Sequence, residues 1–313
     1  MSHSPGEIVW KEGQPGHSSS SRSILLHHFD QLCLSYGDDD AIILGDAELQ
    51  RTAPVAVGFS ELQYASQALA AQLYHRYRCP TMVLLDLRNS VAAEAVAVLA
   101  CLRLGAPFVP VSVEELHEGE RLRTIVETLR TTTGDINNTP DRHVNLVAVV
   151  RCDNDGDPIL QSFAAANVHK VVFVNAFGDL LEPMTVPDSL PQEYTETDDN
   201  MYILFTSGTS GNAPKAVIGS QKSTWHRLNW FHKRFASKEN ANNRVVIARR
   251  SKLTFVDGVN ELLAGLLFPA TVLYALNLRR LGQSRCTQHI GYSVYARHYA
   301  PDAISRTTGN TES

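Results

Sequence analysis

Residues 202–217 read YILFTSGTSGNAPKAV, and this stretch decides the fold prediction. The apolar run 202–205 predicts a strand, and a loop of hydroxyl residues and glycines follows it and closes at Lys215. Beyond the loop, Trp225, Leu228 and Phe231 recur at helical spacing, which predicts a helix after the loop.

The composition of this loop suits a polyphosphate. Gly208 and Gly211 can adopt backbone angles that other residues avoid, so the main chain can approach a ligand closely. Successive N–H groups can then converge on anionic oxygens. Lys215 adds a positive charge on a long stem. The candidate phosphate ligands are therefore Thr206, Ser207, Gly208, Thr209, Ser210, Gly211 and Lys215.

Two other nucleotide-binding motifs do not fit the spacing of this loop. A Walker A loop needs Gly-Lys-Ser/Thr, whereas Lys215 lies between Pro214 and Ala216. A dinucleotide fingerprint needs GxGxxG, which is absent here. The alternative is a Ser/Gly-rich surface loop that happens to end in lysine. The complete ordered string after a strand favours phosphate binding over that alternative.

Helix-like and strand-like segments alternate along the chain before this loop. Apolar residues recur at helical spacing in residues 60–77, 91–102 and 122–129. Short apolar runs typical of buried strands occupy residues 82–87, 106–111, 144–150, 170–174 and 201–205. Strands separated by helices indicate βαβ units, so the predicted fold class is α/β with mainly parallel sheets. The polar residues 131–142 are expected to form a surface loop.

A composition shift divides the chain into candidate subdomains. Residues 181–200 combine prolines with a run of acidic residues, which is typical of a linker. We therefore expect a flexible leader over residues 1–23, a first α/β subdomain over 24–198 and the start of a second over 199–277. Residues 278–313 have no apolar period and are expected to form an irregular tail.

Composition and charge exclude several classes of protein. The 313 residues are 43% hydrophobic and carry a formal net charge of −5, so no basic surface for nucleic acid is expected. The longest apolar runs are too short to cross a bilayer, and residues 1–22 lack the apolar centre of a secretory signal. Five cysteines, none at CxxC spacing, argue against a disulfide framework or zinc site and fit a cytoplasmic location.

The string 202–217 resembles the signature loop of the adenylate-forming, or AMP-binding, superfamily. That superfamily includes acyl-CoA synthetases, luciferases and the adenylation domains of peptide synthetases. Further segments are similar to family segments in the expected order: FSEL at 59–62, LRLGAPFVPV at 102–111 and TFVDGVNELLAGLL at 254–267. The sequence of residues 202–222 is most similar to that of the plant acyl-activating enzymes and the β-alanine-activating, acyl-CoA synthetase type 4 branch.

The resemblance implies a two-step reaction and a partial N-terminal domain of an acyl-adenylate-forming enzyme. A carboxylic acid or amino acid would attack the α-phosphate of ATP with Mg²⁺, and a thiol of CoA or of a phosphopantetheine carrier would then take the acyl group. Residues 206–211 and Lys215 would hold the β- and γ-phosphates. Asp257 is the candidate substrate contact, because amino-acid-activating relatives hold the amine with an Asp after this Phe.

The sequence also departs from the family pattern. Asn212 and Ala213 add one residue before Pro214, and Ala216 replaces a glycine. The residue directly after Phe255 is valine, which places Asp257 one step late. No later family segment for adenine, ribose or the lid follows residue 277, so we expect a truncated product. The alternative function is a non-catalytic fragment that at most binds nucleotide, and no catalytic residue or metal ligand is assigned.

Four other patterns predict structure instead of chemistry. His27 and His28 predict an exposed pair or a helix start, not a metal site. The acidic run 38–40 predicts a turn, and DNDGD at 153–157 predicts a turn between strands. Three aromatic residues are expected to pack against the core or a helix face: Trp225, Trp230 and Phe231.

Overall fold

The computed structural model describes residues 23–44, 55–78, 80–88, 90–112, 120–136, 144–152, 157–175, 177–180, 200–206, 214–236, 245–268, 271–275 and 294–295. The helices in these ranges are α1 (Ile24–Tyr36), α2 (Phe59–Tyr77), α3 (Val91–Leu104), α4 (Glu120–Ile136), α5 (Asp157–Ala165), α6 (Gln221–Phe231), which continues as a π-helix over His232–Ala236, and α7 (Val256–Leu266). The strands are β1 (Asp40–Leu44), β2 (Val55–Gly58), β3 (Met82–Asp86), β4 (Phe108–Pro110), β5 (Leu146–Arg151), β6 (Val171–Val174), β7 (Asn200–Phe205), β8 (Ala216–Ser220), β9 (Val245–Arg249), β10 (Thr271–Ala275) and β11 (Val294–Tyr295).

The larger sheet has six strands in the order β6-β5-β3-β4-β7-β8. Its first five strands run parallel, and β8 returns antiparallel to β7. The central strand β3 is buried along its whole length, as expected for a parallel strand covered on both faces. The prediction of an α/β fold with mainly parallel sheets is confirmed.

The smaller sheet has five strands in the order β11-β9-β10-β1-β2. Strands β9, β10 and β1 run parallel, whereas the outer strands β11 and β2 are antiparallel to their neighbours. Each sheet therefore combines strands from both sides of residue 198, so the boundary predicted there does not coincide with the division between the sheets. The predicted linker lies almost entirely in residues 181–199, outside the described residues.

Helix α3 lies between the two sheets and determines how they pack. It is apolar on nearly all sides and almost every one of its residues is buried, which is expected of a helix enclosed by other elements. Its core cluster includes Ile42 of the smaller sheet and Val83 of the larger sheet. Gly105 ends the helix in the left-handed conformation, with φ of 64°. Helices α4 and α5 pack on the opposite face of the larger sheet through a second cluster, which includes Leu122 and Phe163.

Some segments differ from the sequence predictions. Helix α4 continues to Ile136, where a polar loop was predicted from residue 131, and the hydroxyls of Thr128 and Thr131 bond to carbonyls one turn back within the helix. Asp157 begins helix α5 instead of ending a turn between strands, and residues 153–156 lie outside the described residues. Val294–Tyr295 forms a short strand on β9, within the segment expected to be irregular.

Candidate functional site

The predicted phosphate-binding loop connects the two strands of a β-hairpin. Strand β8 pairs antiparallel with β7, and Phe205 lies opposite Ala216 at the open end. There the amide of Thr206 donates to the carbonyl of Lys215 at 3.1 Å, and the amide of Lys215 donates to the Thr206 hydroxyl at 3.3 Å. The ends of the loop are therefore held together by main-chain and side-chain bonds.

The predicted helix after the loop is confirmed, since α6 contains Trp225, Leu228 and Phe231, but strand β8 lies between the loop and this helix. The N-cap of α6 is Ser220, whose hydroxyl accepts the amide of Ser223 at 3.1 Å. Thr206 and Lys215 are both exposed at the hairpin end. The other predicted phosphate ligands lie outside the described residues, so their roles stay predictions: Ser207, Gly208, Thr209, Ser210 and Gly211.

The hairpin opens at the same edge of the larger sheet as a small cleft. Strands β3, β4 and β7 are parallel and adjacent, so their carboxyl ends meet at one edge. From that edge the chain leaves β3 for α3 on one face and β4 for α4 on the other, and the diverging loops leave a crevice. The cleft has a volume of about 50 Å³, and its polar lining includes Asp86, Arg88, Glu94, Ser112, Lys252 and Thr254.

A buried ion cluster lies behind the cleft. Arg249, the last residue of β9, binds Glu94 at 2.7 Å and lies 3.5 Å from Glu261. Residues 250 and 251 donate their main-chain amides to the same Glu261 oxygen, both at 2.8 Å. Burial raises the pKa of the Glu94 carboxyl, and the adjacent Arg249 guanidinium opposes this shift. The cluster therefore connects helix α3 to β9 and α7.

The predicted substrate contact, Asp257, lies in the first turn of α7. Its carboxylate is 3.3 Å from the guanidinium of Arg227 on α6, and each side chain is 49% exposed. An exposed pair of this kind contributes little to stability, since water screens both charges. Phe255 and Val256, which precede Asp257, are also exposed, so this surface combines two apolar groups with a compensated ion pair.

Comparison with protein families gives a match to the AMP-binding enzyme family over residues 31–296. The chain belongs to the AMP-binding enzyme family. The match covers the hairpin, the cleft and the ion cluster of this family member. No protein of curated function matches the chain.

The fold is similar to that of many solved structures, three of which follow. VinN in complex with L-aspartate is 15% identical over 82% of this chain and 57% of its own, with a TM-score of 0.54. A double mutant of the Bacillus subtilis o-succinylbenzoate CoA synthetase MenE, bound with its product analogue OSB-NCoA, is 18% identical over 79% and 43%, with a TM-score of 0.54. A fatty acyl-adenylate ligase from L. pneumophila, in complex with acyl adenylate and pyrophosphate, is 16% identical over 82% and 40%, with a TM-score of 0.52. This member of the AMP-binding family thus spans between 40% and 57% of the length of these three structures.

Sequence reasoning missed the ion cluster of this family member, although one signal was present. Glu94 is the only acidic residue in the otherwise apolar helical run 91–102. A carboxylate on a helix that is buried all round requires a cationic partner, because an unpaired buried charge is very costly. The identity of that partner could not be found from spacing, since Arg249 lies 155 residues away.

The histidine and aromatic predictions need partial correction. His28 is buried within α1, not exposed, and its ring stacks on Trp225 with centroids 4.1 Å apart. Phe231 is buried and Trp225 packs against the core, but Trp230 is 57% exposed. Within the described ranges, no group of three or more His, Cys, Asp or Glu could hold a metal ion. No helix in those ranges is long and apolar enough to cross a membrane.

Proposed function

We propose that this AMP-binding enzyme binds ATP on the 206–215 loop and forms an acyl-adenylate from a carboxylic acid. The observation that carries the proposal is the closed hairpin end, where Thr206 and Lys215 bond to each other at the sheet edge that also holds the cleft. Ligands of open α/β sheets bind at the carboxyl ends of the strands, and both features lie at that edge.

The loop residues would bind the β- and γ-phosphates. Lys215 would bind a phosphate oxygen through a charge-assisted hydrogen bond, and the Thr206 hydroxyl would donate a second bond. The main-chain amides and hydroxyls of residues 207–211 would supply the remaining donors. Mg²⁺ would enter with ATP and be held mainly by its phosphate oxygens.

The proposed reaction would have two steps. A carboxylate oxygen of the acid attacks the α-phosphorus of ATP, and pyrophosphate leaves. A thiol sulfur of CoA or of a phosphopantetheine carrier next attacks the acyl carbon, loses its proton, and displaces AMP. The protein contributes by aligning the reactants and by neutralising charge that develops on the phosphates.

The finer assignments belong to this proposal. The sequence similarity of residues 202–222 supports the plant acyl-activating, β-alanine-activating branch. The similar solved structures are bound to different molecules: L-aspartate, the product analogue OSB-NCoA and an acyl adenylate. We also propose the subdomains 24–198 and 199–277 and a cytoplasmic location. The choice between CoA and a carrier as acceptor is left to experiment.

Acid-dependent exchange of pyrophosphate into ATP tests the proposal. The purified chain is assayed with a panel of aliphatic, aromatic and amino acids, beside Lys215→Ala and the matched control Lys170→Ala. Lys170 is an exposed lysine that precedes β6 and so lies at the opposite edge of the same sheet, bonded to Asn145. We expect exchange with at least one acid, lost in Lys215→Ala and kept in Lys170→Ala.

The contrary results are equally distinct. Equal pyrophosphate exchange in Lys215→Ala and Lys170→Ala would show that Lys215 does not contribute to the site. ATP binding without exchange for any acid would support the alternative, a chain that binds nucleotide but does not complete the reaction.

A further inference from the structure

The buried ion cluster joins the two sheets of the molecule at one point. Arg249 ends β9 in the smaller sheet, and Glu94 lies in the first turn of α3, directly after β3 of the larger sheet. Their side chains are 5% and 3% exposed, and the distance between their charged atoms is 2.7 Å. The bond therefore fixes the carboxyl end of β9 relative to the edge where the cleft lies.

The same cluster fixes the turn at residues 250–255. Glu261 accepts the main-chain amides of Arg250 and Ser251, each at 2.8 Å, and its other oxygen accepts the Ser251 hydroxyl at 3.0 Å. Arg249 also donates to the carbonyl of Ser251. The turn closes with the amide of Phe255 bonded to the carbonyl of residue 252 at 3.1 Å.

Helix α7 presses against this turn without space between them. A Cβ atom on Gly258 would lie 2.0 Å from the carbonyl oxygen of Lys252 and 2.8 Å from a guanidinium nitrogen of Arg249. Real Cβ atoms do not approach so closely, so the backbones of turn and helix touch. The turn is thus held from both sides, by the ion cluster and by α7.

One face of the turn forms a wall of the cleft. Residues 252, 253 and 254 line it, together with Glu94 and the ends of β3 and β4. One arginine and two carboxylates add little net stability to a core, because the desolvation penalty of the buried charges offsets most of their attraction. Apolar residues of similar volume would serve stability as well, so the cluster is better explained by the geometry that it imposes on the turn.

We propose that Arg249 is a positioning residue that holds the 250–255 turn as the acid-side wall of the site. This inference rests on the proposed function, since the hairpin supplies the ATP side at the same edge of the sheet. The Arg249 side chain is buried and is not among the residues that line the cleft. It acts through Glu94 and Glu261, which hold the turn in place near the carboxyl ends of β3 and β4.

The test compares Arg249→Met and Arg249→Lys with a matched control, Arg103→Met. Arg103 also has a buried guanidinium, but it lies in the last turn of α3 and pairs with Asp30 of α1 at 2.9 Å. Native-state amide hydrogen exchange is followed for residues 250–255, each variant being held equally far below its own unfolding midpoint. The Michaelis constants for acid and for ATP are measured by pyrophosphate exchange with the acid that gives the highest rate.

We expect Arg249→Met to speed amide exchange in the turn by about tenfold or more, and Arg103→Met to change it by less than about twofold. The Michaelis constant for the acid should rise about tenfold in Arg249→Met while that for ATP stays within about twofold. Arg249→Lys should give intermediate values, because lysine keeps the charge but cannot bond to several partners in one plane.

Three results would overturn the inference. Equal amide hydrogen exchange of the turn in Arg249→Met and Arg103→Met would show that loss of any buried arginine has this effect. A loosened turn with an unchanged constant for the acid would show that the turn is not part of the acid side. If the wild-type chain shows no acid-dependent pyrophosphate exchange, both the proposed function and the acid-side role of the turn are wrong. Amide hydrogen exchange would still report whether Arg249 holds the turn.

Discussion

Two regions at one edge of the larger sheet achieve their geometry in opposite ways. The hairpin end is exposed, and two hydrogen bonds between Thr206 and Lys215 join its strands. The 250–255 turn is tied to buried charges by several bonds, and Arg249, Glu94 and Glu261 are all at most 7% exposed. The hairpin end is thus held by exposed hydrogen bonds between neighbouring strands, whereas the turn is held by buried charges from distant parts of the chain.

The largest effect is expected from breaking the buried cluster. Arg249→Met leaves two carboxylates without their cation, so the free energy of unfolding should fall by about 3–5 kcal/mol. Arg227→Ala breaks the half-exposed pair with Asp257 and should cost less than about 1 kcal/mol. Urea denaturation of both variants measures the contrast. Similar losses of unfolding free energy in the two variants would mean that the buried cluster contributes no more to stability than the half-exposed pair.

Acid should weaken the packing of α1 on α6, the helix that follows the hairpin. Burial, with a further effect of His27, lowers the pKa of His28 from 6.5 to about 4. The unfolded chain then binds more protons between these values, so stability should fall as the pH falls from about 6.5 to about 4, by up to about 3 kcal/mol. Above pH 6.5 this contribution is complete.

His28→Phe provides the control for the acid effect, since phenylalanine keeps a ring against Trp225 and does not titrate. Unfolding free energies of both proteins are measured at a series of pH values from 4 to 7. The wild type should lose stability more steeply than the variant over that interval. Parallel curves would assign the pH dependence to other groups.

A smaller effect is expected at the base of the hairpin. A Cβ on Gly219 of β8 would lie 1.9 Å from the ring of Tyr202 on β7, so Gly219→Ala must displace that ring. Overpacking of this kind should cost about 1–3 kcal/mol. The double variant with Tyr202→Leu should recover part of the loss, which thermal unfolding of the three proteins would reveal. Strictly additive losses would mean that the two residues do not interact.

The family and the parallel strands could be predicted from the sequence better than the buried ion cluster. The family was recognised because the glycines, hydroxyl residues and lysine of its signature loop stand in one consecutive run, at 206–215. The parallel strands were predicted because each is a short apolar run between helical patterns. Strand β8 was missed because its five residues, which end at the N-cap Ser220 of α6, carry too little periodicity to separate them from the helix.

The ion pairs could not be predicted because their partners are far apart in the chain. Glu94 and Arg249 are 155 residues apart, and Arg227 and Asp257 are 30 apart. Glu94 stands out in its apolar helix, but its partner Arg249 carries no comparable local signal, and only the fold brings the two together. The left-handed Gly105 shows the contrary case, since a glycine after a helical run followed by proline is a local signal.

The most direct test of the central claim is the unfolding midpoint with and without saturating Mg-ATP, for the wild type, Lys215→Ala and Lys170→Ala. Without ligand, both exposed-lysine variants should stay within about 0.5 kcal/mol of the wild type. ATP at 100 times its dissociation constant should stabilise the wild type and Lys170→Ala by about 2.7 kcal/mol. Lys215→Ala should lose most of that gain. No rise in the wild-type midpoint, or an equal rise in all three proteins, would contradict phosphate binding at the hairpin.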